Sequence, residues 1–283
     1  MPLTLLVHGA TGTQGAPVVR RLLADGHTVR ALVRRPVPLP AGAEPVTGDL
    51  ADPAALAAAY ADVDAVVVQL PLVFGPAALD QARAVLAGLE KARPPRVVFN
   101  TGGPIVPAPV GIPYLDARVL LTARLREVVE RVAVVGPAGP YMENLSAPWS
   151  APVVAAGELR YPLPEPAPVP WLALDDLAAE VADLLTAAEP APVRVVAGPE
   201  ALSGDRAAAA VAAALGRPVR WRTVSPQEYG DDLVPHLGEE AGRGIAAFYA
   251  PADGPPPAPD PALVRTGTTT LRAWAARQTW PAG

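Results

Sequence analysis

Cysteine is absent from the 283 residues, which removes disulfides, thiolate nucleophiles and cysteine-based metal sites together. Lysine is almost missing as well: Lys91 is the single one among 23 basic residues. Histidine occurs only at His8, His27 and His236, without ligand spacing, so no metal site is expected. His8 reads as a structural residue at a strand end, His27 as a turn residue, and His236 as a surface or packing residue. No G-x-S-x-G turn marks a serine nucleophile. Runs of about 18 uncharged apolar residues are lacking, and the N-terminal stretch has no basic flank of a signal peptide. The expectation is therefore a soluble cytoplasmic protein with no membrane partner. Basic runs are lacking too, and the net charge of −5 weighs against nucleic acid as a partner.

What is present is apolar and alternating. Hydrophobic residues make up 51% of the chain, enough for one large domain or a domain plus a smaller lobe. The 37 prolines fall mostly between periodic segments, at 35–45, 162–170 and 251–261, and read as semi-rigid loops. Strands are expected at Leu3 to Val7, Thr28 to Val33, Pro45 to Gly48, Asp64 to Leu70, Arg96 to Thr101 and Val132 to Val135. Helices are expected between them, including Ala54 to Tyr60 capped by Asp52, Pro76 to Ala92, and Tyr114 to Arg131. Solid apolar strands alternating with helices mean a parallel sheet covered on both faces. Farther on, a helix from Asp175-Asp176 to Ala188, a strand at 193–197, a helix at 204–215, a strand at 219–224 and helices near 226–233, 239–249 and 269–279 are expected. The fold class that follows is α/β: a Rossmann-type doubly wound parallel sheet over 1–136, completed by about 193–197, with 137–283 mostly a smaller α/β substrate-binding lobe.

The first strand runs into Gly9-Ala10-Thr11-Gly12-Thr13-Gln14-Gly15 and then into a helix. Gly9 allows a tight turn, Gly12 a close backbone approach to a pyrophosphate, and Gly15 close packing of helix on strand. The helix N-terminal amides then face the anion. After the second strand comes Arg34, suited to a 2′-phosphate where NAD-selective chains carry an acid. NADPH is therefore the expected cofactor, with NADH as the alternative. Asp49 and Leu50 at the third strand's end, Gln69, Leu70 and Pro71 at the fourth's, and Asn100 and Thr101 at the fifth's complete the candidate cofactor edge. Thr101 is also a candidate for the chemistry.

Together, Gly9-Ala10-Thr11-Gly12 with Gln14-Gly15, Asp25 to Arg34, Gly48-Asp49-Leu50, Gly139 to Leu145, Trp171 to Ala178 and Leu215 to Val219 resemble the NmrA-like branch of the atypical short-chain dehydrogenases/reductases. The resemblance spans nearly the whole chain. It implies a Rossmann domain, a small substrate lobe, and NADP(H) or NAD(H) between them. The family includes quinone and plant-phenolic reductases, and also regulators that bind nucleotide without turning it over. Short-chain reductases pair a tyrosine with a lysine four residues on. Here Tyr114 and Arg118 keep that spacing with arginine in the lysine's place, a non-conservative change. Tyr114 and Arg118 are the catalytic candidates, Arg118 also as a ribose contact. Tyr141, Met142, Asn144 and Trp171 are candidates for the substrate wall, with Asn144 better suited to fixing a loop.

These readings point to an NADPH-dependent reductase acting on a small aromatic molecule, a carbonyl, quinone or conjugated ring of a polycyclic compound such as a polyketide in secondary metabolism. The rival is a non-catalytic NADP(H) sensor; a third option is an isomerase or dehydratase using nucleotide transiently. A monomer or homodimer is expected.

Overall fold

The computed structural model describes residues 1–250 and 259–281; most of the expected 251–261 loop lies outside them. The strands are β1 (Thr4–Val7), β2 (Thr28–Val33), β3 (Ala43–Thr47), β4 (Ala65–Gln69), β5 (Arg96–Asn100), β6 (Arg131–Pro137), β7 (Glu158–Tyr161), β8 (Val193–Ala197), β9 (Arg220–Thr223) and β10 (Val264–Thr266). The helices are α1 (Gly15–Ala24), α2 (Pro53–Ala59), α3 (Ala77–Ala92), α4 (Pro113–Val128), α5 (Ala151–Ala155), α6 (Leu174–Thr186), α7 (Gly204–Leu215), α8 (Pro226–Leu237), α9 (Glu239–Tyr249) and α10 (Leu271–Ala275). Eight strands form the main sheet in the order β10-β8-β6-β5-β4-β1-β2-β3, and β7 pairs with β9 in a second sheet. Every pairing from β3 to β6 is parallel. The run β3-β2-β1-β4-β5-β6 is the doubly wound arrangement, in which the strand order reverses between β1 and β4. Ligands of such sheets sit beyond the carboxyl ends of the strands at that reversal.

The chain divides into two compact units, Met1–Pro137 with Leu177–Val195, and Ala138–Asp176 with the residues from Val196 onward. In the first unit, β1, β4 and β5 are buried almost throughout, which is why they read as unbroken apolar runs. Leu6, Val66, Val68, Val97 and Phe99 pack with Leu89, Leu121 and Leu125 from the flanking helices. Asp52 caps α2 as expected, its carboxylate accepting from the amides of Ala54 and Ala55. Arg96, buried at the foot of β5, donates to the carbonyls of Leu184 and Leu185 in the last turn of α6, where the helix dipole favours a cation.

The second unit has its own core. Trp171 and Tyr161 meet edge to face at 4.9 Å, with Tyr229, Leu159, Leu233 and Trp274 in the same cluster. Its charged strands are tied by ion pairs: Arg160 meets Glu158, Glu228 and Asp232, and Arg222 meets Glu158 and Glu228.

Several boundaries differ from expectation, two of them for a long-range reason. Helix α4 stops at Val128 and β6 starts at Arg131, because Arg131 pairs with Arg96 of β5. The expected cap of α6, Asp175-Asp176, lies inside the helix instead. The amide of Leu174 is capped by Glu143, whose two oxygens stand 3.2 Å away. Glu143 also accepts from the Trp274 indole at 3.1 Å; burial pushes its carboxyl up, and these donors pull it partly back. Asp176 is thereby released to hold the amides and hydroxyls of Thr268 and Thr269. Helix α8 runs on to Leu237, past the expected end at 233, and α10 is shorter than its expected span.

Candidate functional site

The carboxyl edge of the first unit begins with the glycine turn. Gly9 has φ +60, a left-handed conformation that costs glycine little. Its carbonyl accepts from the Gly12 amide at 2.8 Å, and the Gly12 carbonyl accepts from Ala16. A Cβ on Gly15 would stand 2.1 Å from the Gly9 oxygen, so that position admits no side chain. Helix α1 opens here with no acidic residue in its first turn and no side-chain cap. Its amides are thus left to an anion. Thr11 and Thr13 are exposed on the same turn. This cradle fits a dinucleotide pyrophosphate.

Three carboxamides adjoin it. Gln69 and Asn100 are Cα partners at the ends of β4 and β5. The Asn100 Nδ2 donates to Gln14 Oε1 at 2.9 Å and to Gln69 Oε1 at 3.4 Å, while Asn100 Oδ1 accepts from the Gly102 amide. A neutral amide network therefore joins the start of α1 to the β4 and β5 ends. Arg34 follows β2, exposed, and Asp49 follows β3, where its carboxylate accepts from the Ala51 amide at 2.9 Å. Leu50 packs partly against the core. Because the strands are parallel, these positions share one edge with the glycine turn.

The catalytic candidates are brought together in an unexpected way. Arg118 is 3% exposed, and its guanidinium donates to the carbonyls of Thr101 (2.6 Å), Tyr114 (2.7 Å), Leu70 (3.3 Å) and Pro71 (3.5 Å). It also lies 3.5 Å from the centroid of the Tyr114 ring, a cation–π contact. The structure thus uses Arg118 to tie the ends of β4 and β5 to α4, rather than presenting it as a lysine would be presented. The planar fork explains this, since it can meet several carbonyls at once where an ammonium is a point charge. Thr101 is buried as well; its hydroxyl donates to the Gly103 carbonyl at 2.6 Å and serves the turn.

Phe74 escaped the sequence reading. Its ring stacks on Tyr114 with centroids 4.8 Å apart and planes 21° from parallel. The available signal was an aromatic residue in the short segment Leu70 to Pro76 that follows β4. Asp116, also missed, latches the loop before α4 by accepting from the amides of Val110 and Gly111.

The substrate-wall candidates belong to the second unit. Met142 and Trp171 are each 1% exposed in its core, where they pack. Asn144 donates to the Tyr161 hydroxyl at 3.2 Å. Tyr141 is 8% exposed and bridges to Leu172. Among the described residues no group of three or more acidic or histidine side chains is placed to hold a metal, and no helix is long and apolar enough to cross a membrane.

The profile of the NmrA-like family matches residues 1–251. The chain belongs to the NmrA-like family. Among its relatives is an NAD(P)H azoreductase of Xenophilus azovorans, 34% identical over 79% of this chain and 78% of the relative. A (4-alkanoyl-5-oxo-2,5-dihydrofuran-3-yl)methyl phosphate reductase of Streptomyces griseus subsp. griseus is 31% identical over 87% of this chain and 82% of the relative. In fold this family member resembles an NADPH-dependent quinone oxidoreductase of Escherichia coli. The TM-score is 0.70, with 20% identity and coverage of 96% and 98% of the two chains.

Proposed function

We propose that this NmrA-like protein is an NADPH-dependent reductase whose acceptor is a small conjugated molecule: a quinone, an azo compound or an enone. The observation that carries the reading is the cradle at Gly9 to Gly15, closed to any side chain at Gly15 and set at the reversal of the strand order. The residues that would hold the nucleotide are the glycine turn with Thr11 and Thr13 under the pyrophosphate, Arg34 at the 2′-phosphate, and Asp49 and Leu50 near the adenine. Gln14, Gln69, Leu70, Pro71 and Asn100 would line the nicotinamide side. Bound NADPH supplies a hydride, and a quinone taking that hydride with one proton becomes the hydroquinone.

The relatives named for azo and dihydrofuranone substrates act on conjugated systems, which supports the choice of acceptor. So does the engagement of Arg118. With that guanidinium held by carbonyls and no lysine beside Tyr114, a simple ketone would develop an alkoxide with little help. A hydroxylated polycyclic quinone needs less, because its reduced oxygen is stabilised by delocalisation and by an internal phenol hydrogen bond. A polyketide-type acceptor is the finer form of this proposal, and Tyr114 is its candidate proton donor.

Anaerobic NADPH consumption against polycyclic hydroxyquinones, small quinones, azo dyes and simple ketones tests the reading, with products identified by mass. Turnover of conjugated acceptors and not of aliphatic ketones is expected. The same engagement of Arg118 favours one rival, a nucleotide sensor; tight NADPH binding without turnover across the panel would establish that instead. For the cofactor, Arg34→Asp is expected to weaken NADPH about ten-fold or more while changing NADH by less than about three-fold. Equal losses for both nucleotides in a fluorescence titration would remove Arg34 from the 2′-phosphate site.

A further inference from the structure

We infer that Phe74 is the stacking surface by which this protein selects flat, fused-ring acceptors over single-ring and aliphatic ones, an inference that rests on the reductase reading. The starting point is the layered order Arg118, Tyr114, Phe74. The Arg118 guanidinium, fixed by the carbonyls of Leu70, Pro71, Thr101 and Tyr114, lies 3.5 Å from the Tyr114 ring centroid. Phe74 continues the layer at 4.8 Å and 21°. The Tyr114 ring is thus held by a buried charge that cannot rotate without losing backbone partners, and Phe74 inherits its plane.

Location gives this stack a use. Phe74 follows β4, the strand beside β1 at which the order reverses, so it stands at the edge where the nucleotide cradle opens. It stays only partly buried. On the same segment Leu72 is 43% exposed. Leu72 and the partly buried Phe74 ring thus offer apolar surface to a ligand on the segment that follows β4. A pre-oriented aromatic plane adds a further flat ring with little loss of side-chain freedom. Aromatic pairs gain energy from stacking beyond their buried area, and the gain grows with ring overlap. A fused-ring acceptor therefore profits more than a single ring, and an aliphatic ketone not at all.

The test replaces the ring and follows a ladder of acceptors. Phe74→Leu keeps apolar bulk but removes the plane, and Phe74→Trp keeps a plane. With 1,4-benzoquinone, 1,4-naphthoquinone and anthraquinone-2-sulfonate, the KM ratio of Phe74→Leu to parent is expected to climb with ring number, reaching about ten-fold for three rings. Phe74→Trp should bring the ratio back toward one. A ratio equal for all three acceptors, or a shared fall in kcat at constant KM, would overturn the inference, because it would mean that Phe74 merely props Tyr114. Calorimetric binding of benzoate, 2-naphthoate and anthracene-2-carboxylate in the presence of NADP+ gives the second readout. There the loss in Phe74→Leu should follow the same ring-number order; a flat response overturns the inference. If the parent turns over none of the quinones, the quinone form of the reductase reading falls, and the binding series still decides the role of Phe74.

Discussion

Gly15→Ala is expected to abolish useful nucleotide binding, raising the NADPH dissociation constant by on the order of a hundred-fold and lowering stability by about 3 kcal/mol. The cause is local and steric. The new Cβ would stand 2.1 Å from the Gly9 oxygen and 2.6 Å from the Gly9 carbonyl carbon. Both are backbone atoms, so no side chain can swing aside to make room. The same oxygen accepts from the Gly12 amide, hence relief of the clash would open the turn that aims the α1 amides outward. Gly216→Ala is the matched control. Gly216 ends α7 with φ +66 and nothing lies within 4 Å of an added Cβ, so only the left-handed conformation is penalised, at about 1 kcal/mol. Chemical denaturation and a nucleotide titration of both variants decide the matter. If Gly15→Ala bound NADPH like the parent, the glycine turn would not be the pyrophosphate cradle.

Legibility in the sequence followed burial. Strands β1, β4 and β5 are covered on both faces, and their apolar runs announce them. The glycine turn and the Asp52 cap are local devices, set by residues a few positions apart. The second unit's β7 went unseen because Glu158 and Arg160 break its apolar pattern; the partners of Arg160 on α8, Glu228 and Asp232, lie some seventy positions away in the chain. The cap of α6 comes from Glu143, thirty-one positions upstream of Leu174, so Asp175-Asp176 looked like the only available cap. Arg118 shows the same division within the candidate site. Its spacing from Tyr114 was readable, since four residues bring two side chains to one helical face. Its destination was not, because the Leu70, Pro71 and Thr101 carbonyls reach it only once β4 and β5 are paired. Phe74 has no periodic context at all, and only the folded edge gives it a neighbour.

His8 should make the protein acid-sensitive in a defined window. It sits at the end of β1, directly before Gly9, fully buried, with its Nε2 3.0 Å from the Tyr60 hydroxyl and the two rings stacked at 5.6 Å. Burial disfavours the imidazolium and brings the His8 pKa down to about 4, with the Gln69 backbone pulling weakly the other way; burial also pushes the Tyr60 phenol up. An unfolded histidine titrates near 6.5. Above that pH both states hold a neutral ring, and the full stability is present. As pH falls from about 6.5 toward 4 the unfolded chain takes up a proton that the folded one refuses, so His8 alone removes about 3 kcal/mol. Below about 4 the folded state protonates too, and this loss levels off. His8→Gln keeps a polar partner for Tyr60 without a titrating group. Urea unfolding of parent and variant from pH 7 to 4 should therefore give curves whose difference changes by one proton's worth across that window. Parallel curves would mean that His8 is protonated in the fold or already neutral when unfolded.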